Sequence, residues 1–536
     1  MTDRLLSLIA SFALLCALIA GAGCGGYSSP GGGGTYTPGG TGTGGSSSGL
    51  PPTAPVSNAG DKYKAVGTNP FVTSAYDPLS TFAVDVDTAS YDIFRRDVNL
   101  GQLPQPASVR LEEYVNDFKY DYPAAAETPP FTISLGAAAG MFDRGTALLR
   151  VGIQGYNPPA SAKGPANLVF LVDVSGSMAS ADKLPLVQRL LRDTLEILDP
   201  TDLVSVVTYA GDTRVRLSPT PVSQSTRINE IINGLTSGGG TYGSAGLTLA
   251  YEQAQFAHIP GGINHIILCT DGDFNIGPSS TEELLKIVKQ NRDSGVTMTA
   301  LGFGVGNLND QMMESISNAG NGVYGMISSA EQTDRYAAER MLSTLVHVAA
   351  NMKVQVTFNP ARVLAYRLLG YEDRAVADQD FRNDMVDGGE VGAGHRVTAL
   401  YEVVLTGTPI PDPDGAPDIL QGAPVDAVVP EIDAADVARV AVRYQAIGEA
   451  VDAPAHEVSV GLPATALGDL AAADADLRWA ASVAAFAEIL KHSPFADRNA
   501  LPIIEAVVAE QAERDADRAE FAQLFAKAKA MLVITP

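Results

Sequence analysis

Oxygen-bearing side chains at the ends of predicted strands are the residues best suited to chemistry in this sequence. A DxSxS loop follows one apolar run, a GGGT segment precedes a predicted helix and a TDG segment ends another apolar run. Their candidate ligands are Asp173, Ser175, Ser177, Thr241 and Asp271. The carboxyl ends of parallel strands meet at one edge of an open sheet, which brings these side chains together. Because the set contains no His or Cys, it predicts a site for a hard cation, Mg²⁺ or alternatively Mn²⁺ or Ca²⁺, rather than zinc.

Neutral hydroxyls supply three of the five candidate ligands. If Ser175, Ser177 and Thr241 bind the ion directly while one or both carboxylates act through water, the ion keeps part of its positive charge. Its remaining coordination position then attracts an acidic group from outside the chain. The sequence therefore predicts a docking site that a Glu or Asp of a protein ligand completes.

Short apolar runs alternate with amphipathic segments between residues 166 and 350, which is the pattern of an α/β domain with a doubly wound, mostly parallel sheet. The predicted strands are Leu168–Asp173, Leu203–Tyr209, Ile263–Thr270 and Val296–Phe303. Near-continuous apolar runs of this length are typical of strands buried on both faces. The predicted helices are Asp182–Leu198, Thr226–Leu235, Ala245–His258, Thr281–Asn291 and Glu331–Ala350.

Strand-like segments on both sides of this α/β region predict a β-sandwich into which the region is inserted. They are Phe131–Leu135, Ala147–Ile153, Lys353–Phe358, Val397–Leu405 and Ala438–Tyr444. The Ala-rich tail has helical spacing and predicts a C-terminal helical cap. The predicted domains are an N-terminal region at 61–165, the α/β domain at 166–350, a β-rich domain at 351–470 and a helical segment at 471–536.

Residues 1–23 have the pattern of a signal peptide, with an apolar stretch that is short for a membrane span. The small residues before Cys24 resemble a bacterial lipoprotein leader, although Gly21 stands where Leu is usual, and that resemblance implies lipidation of Cys24. An ordinary secretory signal is the alternative. Residues 24–60 are almost wholly Gly, Ser, Thr and Pro and predict a disordered tether. We therefore expect a lipid-anchored envelope protein. The outer membrane is favoured because no Asp follows the cysteine.

Composition excludes several classes of partner. The 536 residues carry 36 basic and 61 acidic side chains, a net charge of −25, and no dense basic run. Nucleic acid is therefore not expected as a partner, and neither is a membrane bound through a polybasic patch. With three cysteines in the chain, no disulfide framework or zinc cluster is expected. Cys269 lies inside an apolar run and is expected to be a buried structural thiol.

Three motifs together resemble the metal-ion-dependent adhesion site of von Willebrand factor A (VWA) domains. They are DVSGSM, GGGT followed by Gly246 and Leu247, and TDGD, and they match that site at all five ligand positions. Further segments look like a bacterial lipoprotein family named YfbK-like: NPF, STFAVDVDTASY and GQLP before the domain, RLLGYE and GEVGAGH after it. The resemblance covers almost everything after the tether. It implies a VWA fold and a divalent metal at the five candidate ligands.

Two other features have structural interpretations. Asp85 and Asp87 imitate the opening of a phosphotransferase-like DxDx[TV] loop, but Ala89 stands where Thr or Val would follow. Thr88 or Asp87 is instead expected to cap a helix that begins at Ala89. His395 has no second His or Cys at metal-ligand spacing, so a hydrogen-bonded structural histidine is expected there.

The sequence indicates a binding protein rather than an enzyme. It has no nucleophile elbow, zinc-protease helix or phosphate loop, and no general base pair accompanies the predicted ion. Metal-dependent adhesion or assembly at the envelope is the leading hypothesis. A scaffold or signalling protein that recruits an envelope partner through the same domain is the alternative, and metal-dependent hydrolysis is a third. The sequence leaves the oligomeric state open.

Overall fold

The structure is a computed structural model that describes residues 60–140, 145–159, 163–240, 243–273, 281–421, 427–449 and 453–534. Its strands are β1 (Val72–Thr73), β2 (Leu79–Ala83), β3 (Phe131–Ala139), β4 (Ala147–Gly155), β5 (Ala166–Asp173), β6 (Leu203–Tyr209), β7 (Thr213–Pro221), β8 (Ile263–Thr270), β9 (Thr297–Phe303), β10 (Tyr324–Ile327), β11 (His347–Phe358), β12 (Val363–Leu369), β13 (Gly389–Gly392), β14 (Arg396–Leu405), β15 (Asp436–Ala446), β16 (His456–Pro463) and β17 (Gly468–Asp469). Its α-helices are α1 (Ala89–Asn99), α2 (Leu111–Asn116), α3 (Leu184–Glu196), α4 (Ser225–Asn233), α5 (Gly243–Phe256), α6 (Thr281–Arg292), α7 (Asp310–Ala319), α8 (Ala330–Arg335), α9 (Met341–Leu345), α10 (Ala475–Lys491), α11 (Leu501–Gln511) and α12 (Ala516–Ile534). None of these described helices is long and apolar enough to cross a bilayer. The predicted signal peptide and Cys24 lie outside the described residues.

A six-stranded sheet in the order β10-β9-β8-β5-β6-β7 forms the centre of the α/β domain. Five of its strands are parallel and β7 runs antiparallel to β6 at one edge. Apolar side chains of β5 alternate between two cores, with Phe170 on one face of the sheet and Leu171 on the other. This double burial explains the unbroken apolar runs, and the predicted α/β class is confirmed.

Two further sheets contain the strands that precede and follow the α/β domain. One has the order β1-β12-β14-β4-β3-β17, and the other contains β13, β11, β15, β16 and β2. The strand β4, before the domain, pairs directly with β14, after it, and Leu149 lies opposite Tyr401. Both sheets contribute to one hydrophobic core that includes Val151, Val354 and Val440. The α/β domain is therefore inserted in a β-sandwich.

The C-terminal helices share a core with α1 and α2, which come from the other end of the described chain. Trp479 of α10 lies edge-on to Phe118, with ring centroids 5.1 Å apart, and to Phe521 of α12, at 5.3 Å. Tyr91 of α1 meets Tyr114 of α2 at 5.5 Å in the same cluster. Aromatic contacts of this geometry add to the burial that joins the two ends. The predicted C-terminal helices are present, and they form one helical core with the N-terminal helices.

One predicted helix is wrong only at its C-terminal end, because residues 346–350 are not helical. The segment Glu331–Ala350 begins as helix in α8, passes through a π-helical turn at Tyr336–Arg340 and ends with α9 at Leu345. The chain then enters β11 at His347. Apolar residues at the start of β11 happen to continue the helical spacing, and pairing with β13 and β15 decides the conformation.

Glu112 of α2 is a buried carboxylate whose two side-chain oxygens have no hydrogen-bond partner among the described residues. Burial, with the nearby Glu372 carboxylate, raises the pKa of Glu112 to about 8. The folded protein therefore holds a proton that the unfolded chain releases above about pH 4.5. Stability should accordingly fall as pH rises from about 4.5 to about 8, through this residue's contribution.

Replacing Glu112 with Gln should raise the free energy of unfolding at pH 8.5, by up to about 4 kcal/mol, because the variant never carries the buried charge. Near pH 4.5 the gain should almost vanish, since the glutamic acid is then neutral in the folded state and only half ionised in the unfolded chain. Urea unfolding at the two pH values measures this, with the exposed Glu127→Gln as the matched control. A gain of the same size at both pH values would show that it does not come from removing the buried charge of Glu112.

Candidate functional site

Asp173 ends β5 and is fully buried at the carboxyl edge of the parallel sheet. Its Oδ1 accepts a hydrogen bond from the backbone amide of Ser175 at 2.8 Å, and its Oδ2 accepts one from the Thr270 hydroxyl at 3.2 Å. Burial raises the pKa of Asp173 to about 6; the hydrogen bonds from Ser175 oppose the rise and the nearby Asp271 adds to it. The carboxylate is thus fixed in orientation, and a cation beside it would stabilise its charged form.

The DxSxS loop holds its two hydroxyls together. The Oγ atoms of Ser175 and Ser177 lie 2.9 Å apart, and Ser175 is buried. The backbone amide of Gly176 donates to the carbonyl of Gly239 at 3.1 Å, so the glycine-rich segment before Thr241 lies against this loop. Gly239 has φ +86°, a conformation that favours glycine. Thr241 itself lies outside the described residues.

Asp271 directly follows β8, and it has a partner that the sequence did not indicate. Its Oδ2 accepts a hydrogen bond from Lys183 Nζ at 2.9 Å, and its Oδ1 accepts one from the Asp273 amide at 3.2 Å. Both members of the ion pair are buried, with side-chain exposures of 6% for Lys183 and 0% for Asp271. The sequence shows a lysine at the start of the predicted helix Asp182–Leu198, where a cation is unfavourable, but this signal does not identify Asp271 as its partner.

The structure therefore brings together four of the five predicted ligands, Asp173, Ser175, Ser177 and Asp271, at the carboxyl edge of β5 and β8. Two carboxylates and two hydroxyls are the donors that a hard divalent cation prefers. The Asp173 carboxylate, which has no ion-pair partner among the described residues, supplies negative charge. On its chemistry, this donor set fits Mg²⁺ or a similar ion.

A second group of carboxylates, Asp85, Asp87 and Glu314, is buried, and one oxygen of each lies within 4.8 Å of the others. Arg374 fills the centre of the group. Its Nη2 lies 3.1 Å from Asp85, 3.3 Å from Asp87 and 3.1 Å from Glu314. The guanidinium occupies the position that a metal ion would otherwise take. The geometry therefore favours a buried ion-pair cluster over a metal site, and this cluster joins the N-terminal segment, the α/β domain and the sandwich.

The predicted capping of α1 by Thr88 or Asp87 is wrong. Thr88 makes no side-chain capping bond, and Asp87 instead accepts from the backbone amide of Tyr324 at 2.7 Å. Glu113 of α2 takes the capping role, because its Oε2 accepts from the amide of Ser90 at 2.7 Å. The buried carboxylate from a neighbouring helix reaches the first turn, while Asp87 is drawn to Arg374.

Two expectations for isolated residues are confirmed. His395 is a hydrogen-bonded structural histidine, whose Nδ1 accepts from the amide of Gly392 at 3.1 Å. Burial lowers the pKa of His395 to about 3, which keeps the ring neutral. Cys269 is a buried free thiol inside β8, and burial raises its pKa. Neither residue contributes to the site.

Models of known protein families match three parts of this chain. Residues 167–338 match the model described as "von Willebrand factor type A domain", 57–150 match "von Willebrand factor", and 343–531 match "Uncharacterized protein YfbK, C-terminal". YfbK of Escherichia coli (strain K12) is 36% identical over 479 residues, which are 88% of this chain and 81% of that protein. The chain belongs to the YfbK family.

Other relatives of this YfbK-family chain are less similar to it in sequence. The inter-alpha-trypsin inhibitor heavy chain H2 of Mesocricetus auratus is 26% identical over 32% of this chain and 19% of its own length. Among solved structures, a von Willebrand factor type A protein from Catenulispora acidiphila is 16% identical and covers 74% of this chain and 89% of its own, with a TM-score of 0.40. The VWA match indicates a protein-interaction domain, and VWA proteins of this kind are generally not enzymes.

Proposed function

We propose that this YfbK-family protein is an envelope lipoprotein that binds a protein ligand through a divalent metal, Mg²⁺ or alternatively Mn²⁺ or Ca²⁺. Asp173, Ser175, Ser177, Thr241 and Asp271 hold the ion. The main support for the proposal is that four of these residues lie together at one edge of the central sheet of a VWA domain. They are Asp173, Ser175, Ser177 and Asp271.

The chain's own residues prepare the site for an ion and for an acidic partner. The Ser175 amide and the Thr270 hydroxyl orient the Asp173 carboxylate. The Ser175 and Ser177 hydroxyls add neutral oxygens, which leave the charge of a bound ion largely intact. When bound, the metal supplies a Lewis-acidic position for one outside oxygen ligand. A Glu or Asp of the partner fits that position, because a cation offsets the cost of burying a carboxylate.

Calorimetric titration of the mature chain with Mg²⁺ tests the metal part of the proposal. We expect saturable binding of one ion per chain, reversed by EDTA. Titration heats indistinguishable from dilution for Mg²⁺, Mn²⁺ and Ca²⁺ alike would overturn the proposal. Circular dichroism before and after EDTA is the control, since the apolar strands should keep the domain folded without the ion.

The anchor is proposed at Cys24, on the motif and the Gly/Ser/Thr/Pro segment after it, and the outer membrane is its favoured location. Mass spectrometry of the mature N-terminus should find a lipidated cysteine at position 24. Cys24→Ser should move the protein from the membrane fraction to the soluble fraction, because a lipid chain supplies the membrane affinity. Cys16→Ser is the matched control and should stay with the membrane. An unmodified Cys24 in the mature protein would refute the anchor.

A further inference from the structure

Lys183 makes the two carboxylates of the candidate site unequal. Its ammonium neutralises Asp271, at 2.9 Å, in a pair that is almost fully buried. Asp173 receives hydrogen bonds from the Ser175 amide and the Thr270 hydroxyl, but among the described residues no ion pair reaches it. One carboxylate therefore has an internal counter-ion, and the other has none.

The lysine is held in this position by its surroundings. Its backbone amide donates to the Ser180 carbonyl at 3.2 Å, and its own carbonyl accepts from Leu186 at 2.9 Å at the start of α3. Gly304, with φ +75°, lies so close that an added Cβ would be 2.5 Å from Lys183 Cγ. The aliphatic stem is thus enclosed, and the ammonium is directed at Asp271. If this ion pair broke, Lys183 and Asp271 would each remain as a buried charge without a counter-ion.

We propose that Lys183 sets the charge of the metal site and thereby its preference for an acidic ligand. The inference rests on the proposed function. Asp173 and Asp271 contribute two negative charges and Lys183 one positive charge, so the site carries a net charge of minus one. A divalent ion brings it to plus one, and a carboxylate of the partner neutralises it. Without the lysine the metal site would already be neutral, and it would hold its ion more tightly while attracting an acidic group less.

Lys183→Met provides the first test, by calorimetric titration of the mature chain with Mg²⁺ and Mn²⁺. The variant should bind both ions at least about ten-fold more tightly than the parent, because a positive charge close to the ion is removed. Lys163→Met is the matched control. Lys163 forms a buried ion pair with Asp202 at 2.5 Å. It precedes the N-terminal end of β5, whereas the metal site lies at the C-terminal end, so the loss of Lys163 should leave metal affinity unchanged. Parental or weaker affinity in Lys183→Met would overturn the inference.

The second test removes the pair as a whole, which also avoids leaving one buried charge alone. Asp271→Asn should weaken Mg²⁺ binding at least about ten-fold, because the site then carries no net negative charge. The double variant Lys183→Met/Asp271→Asn restores the parental charge and should bind within about three-fold of the parent. A double variant as weak as Asp271→Asn would refute the charge argument. Failure of the parent itself to bind an ion would instead refute the proposed function.

Discussion

Replacing Asp173 with Ala is expected to reduce Mg²⁺ affinity at least about 100-fold while the VWA domain stays folded. Asp173 is the site carboxylate without an internal counter-ion among the described residues, so it supplies the charge that a cation meets. The fold should survive, because burial already disfavours the charged form of this side chain and its removal relieves that cost. Calorimetric titration measures the affinity, and circular dichroism measures the fold.

Ser177→Ala is the graded companion of this variant. It should weaken Mg²⁺ binding less than Asp173→Ala does, since it removes one neutral oxygen that lies 2.9 Å from the Ser175 hydroxyl. The order of the two effects is the informative result. If folded Asp173→Ala binds Mg²⁺ as well as the parent, the assignment of the ligands is wrong.

Replacing Arg374 with Met should destabilise the protein by about 3–5 kcal/mol at neutral pH. The guanidinium is the cation shared by Asp85, Asp87 and Glu314, and its loss leaves buried carboxylates without compensation. Arg374 lowers the pKa of both Asp85 and Asp87 against the upward effect of burial, so these pKa values should rise further in the variant. The destabilisation should therefore be largest at neutral pH and shrink in acid, where the carboxyl groups are protonated.

Urea unfolding at pH 7 and pH 4.5 tests this expectation. Arg382→Met is the matched control, because it breaks a half-exposed ion pair with Glu457 and should cost no more than about 1 kcal/mol. An Arg374→Met variant as stable as this control at pH 7 would show that the cluster does not depend on the guanidinium.

The local pattern of apolar residues was sufficient to predict the strands at the centre of the fold. Leu203–Tyr209 and Ile263–Thr270 were predicted with the bounds that the structure has, because strands buried on both faces are unbroken apolar runs. The α/β class and the insertion in a sandwich followed from the order of such runs. The placement of Asp173, Ser175, Ser177 and Asp271 at one edge followed from the same topology.

Long-range pairing was the part that the sequence pattern could not supply. Lys183 meets Asp271, and Arg374 binds carboxylates from two distant regions of the chain, through contacts that no local spacing encodes. The helical core that joins α1 and α2 to the C-terminal helices also depends on contacts between residues far apart in the sequence. The edge strand β7 was missed because its outward residues, such as Arg214 and Arg216, interrupt the apolar pattern.

Metal-dependent capture of a partner from envelope extracts tests whether the protein binds its ligand through the metal site. The mature parent chain and folded Asp173→Ala are immobilised side by side, and extract is applied in Mg²⁺ or in EDTA. We expect a protein that the parent retains in Mg²⁺, releases in EDTA and binds again when Mg²⁺ is restored, and that Asp173→Ala does not retain. Partners retained equally by both chains, with and without the chelator, would contradict binding through the metal site.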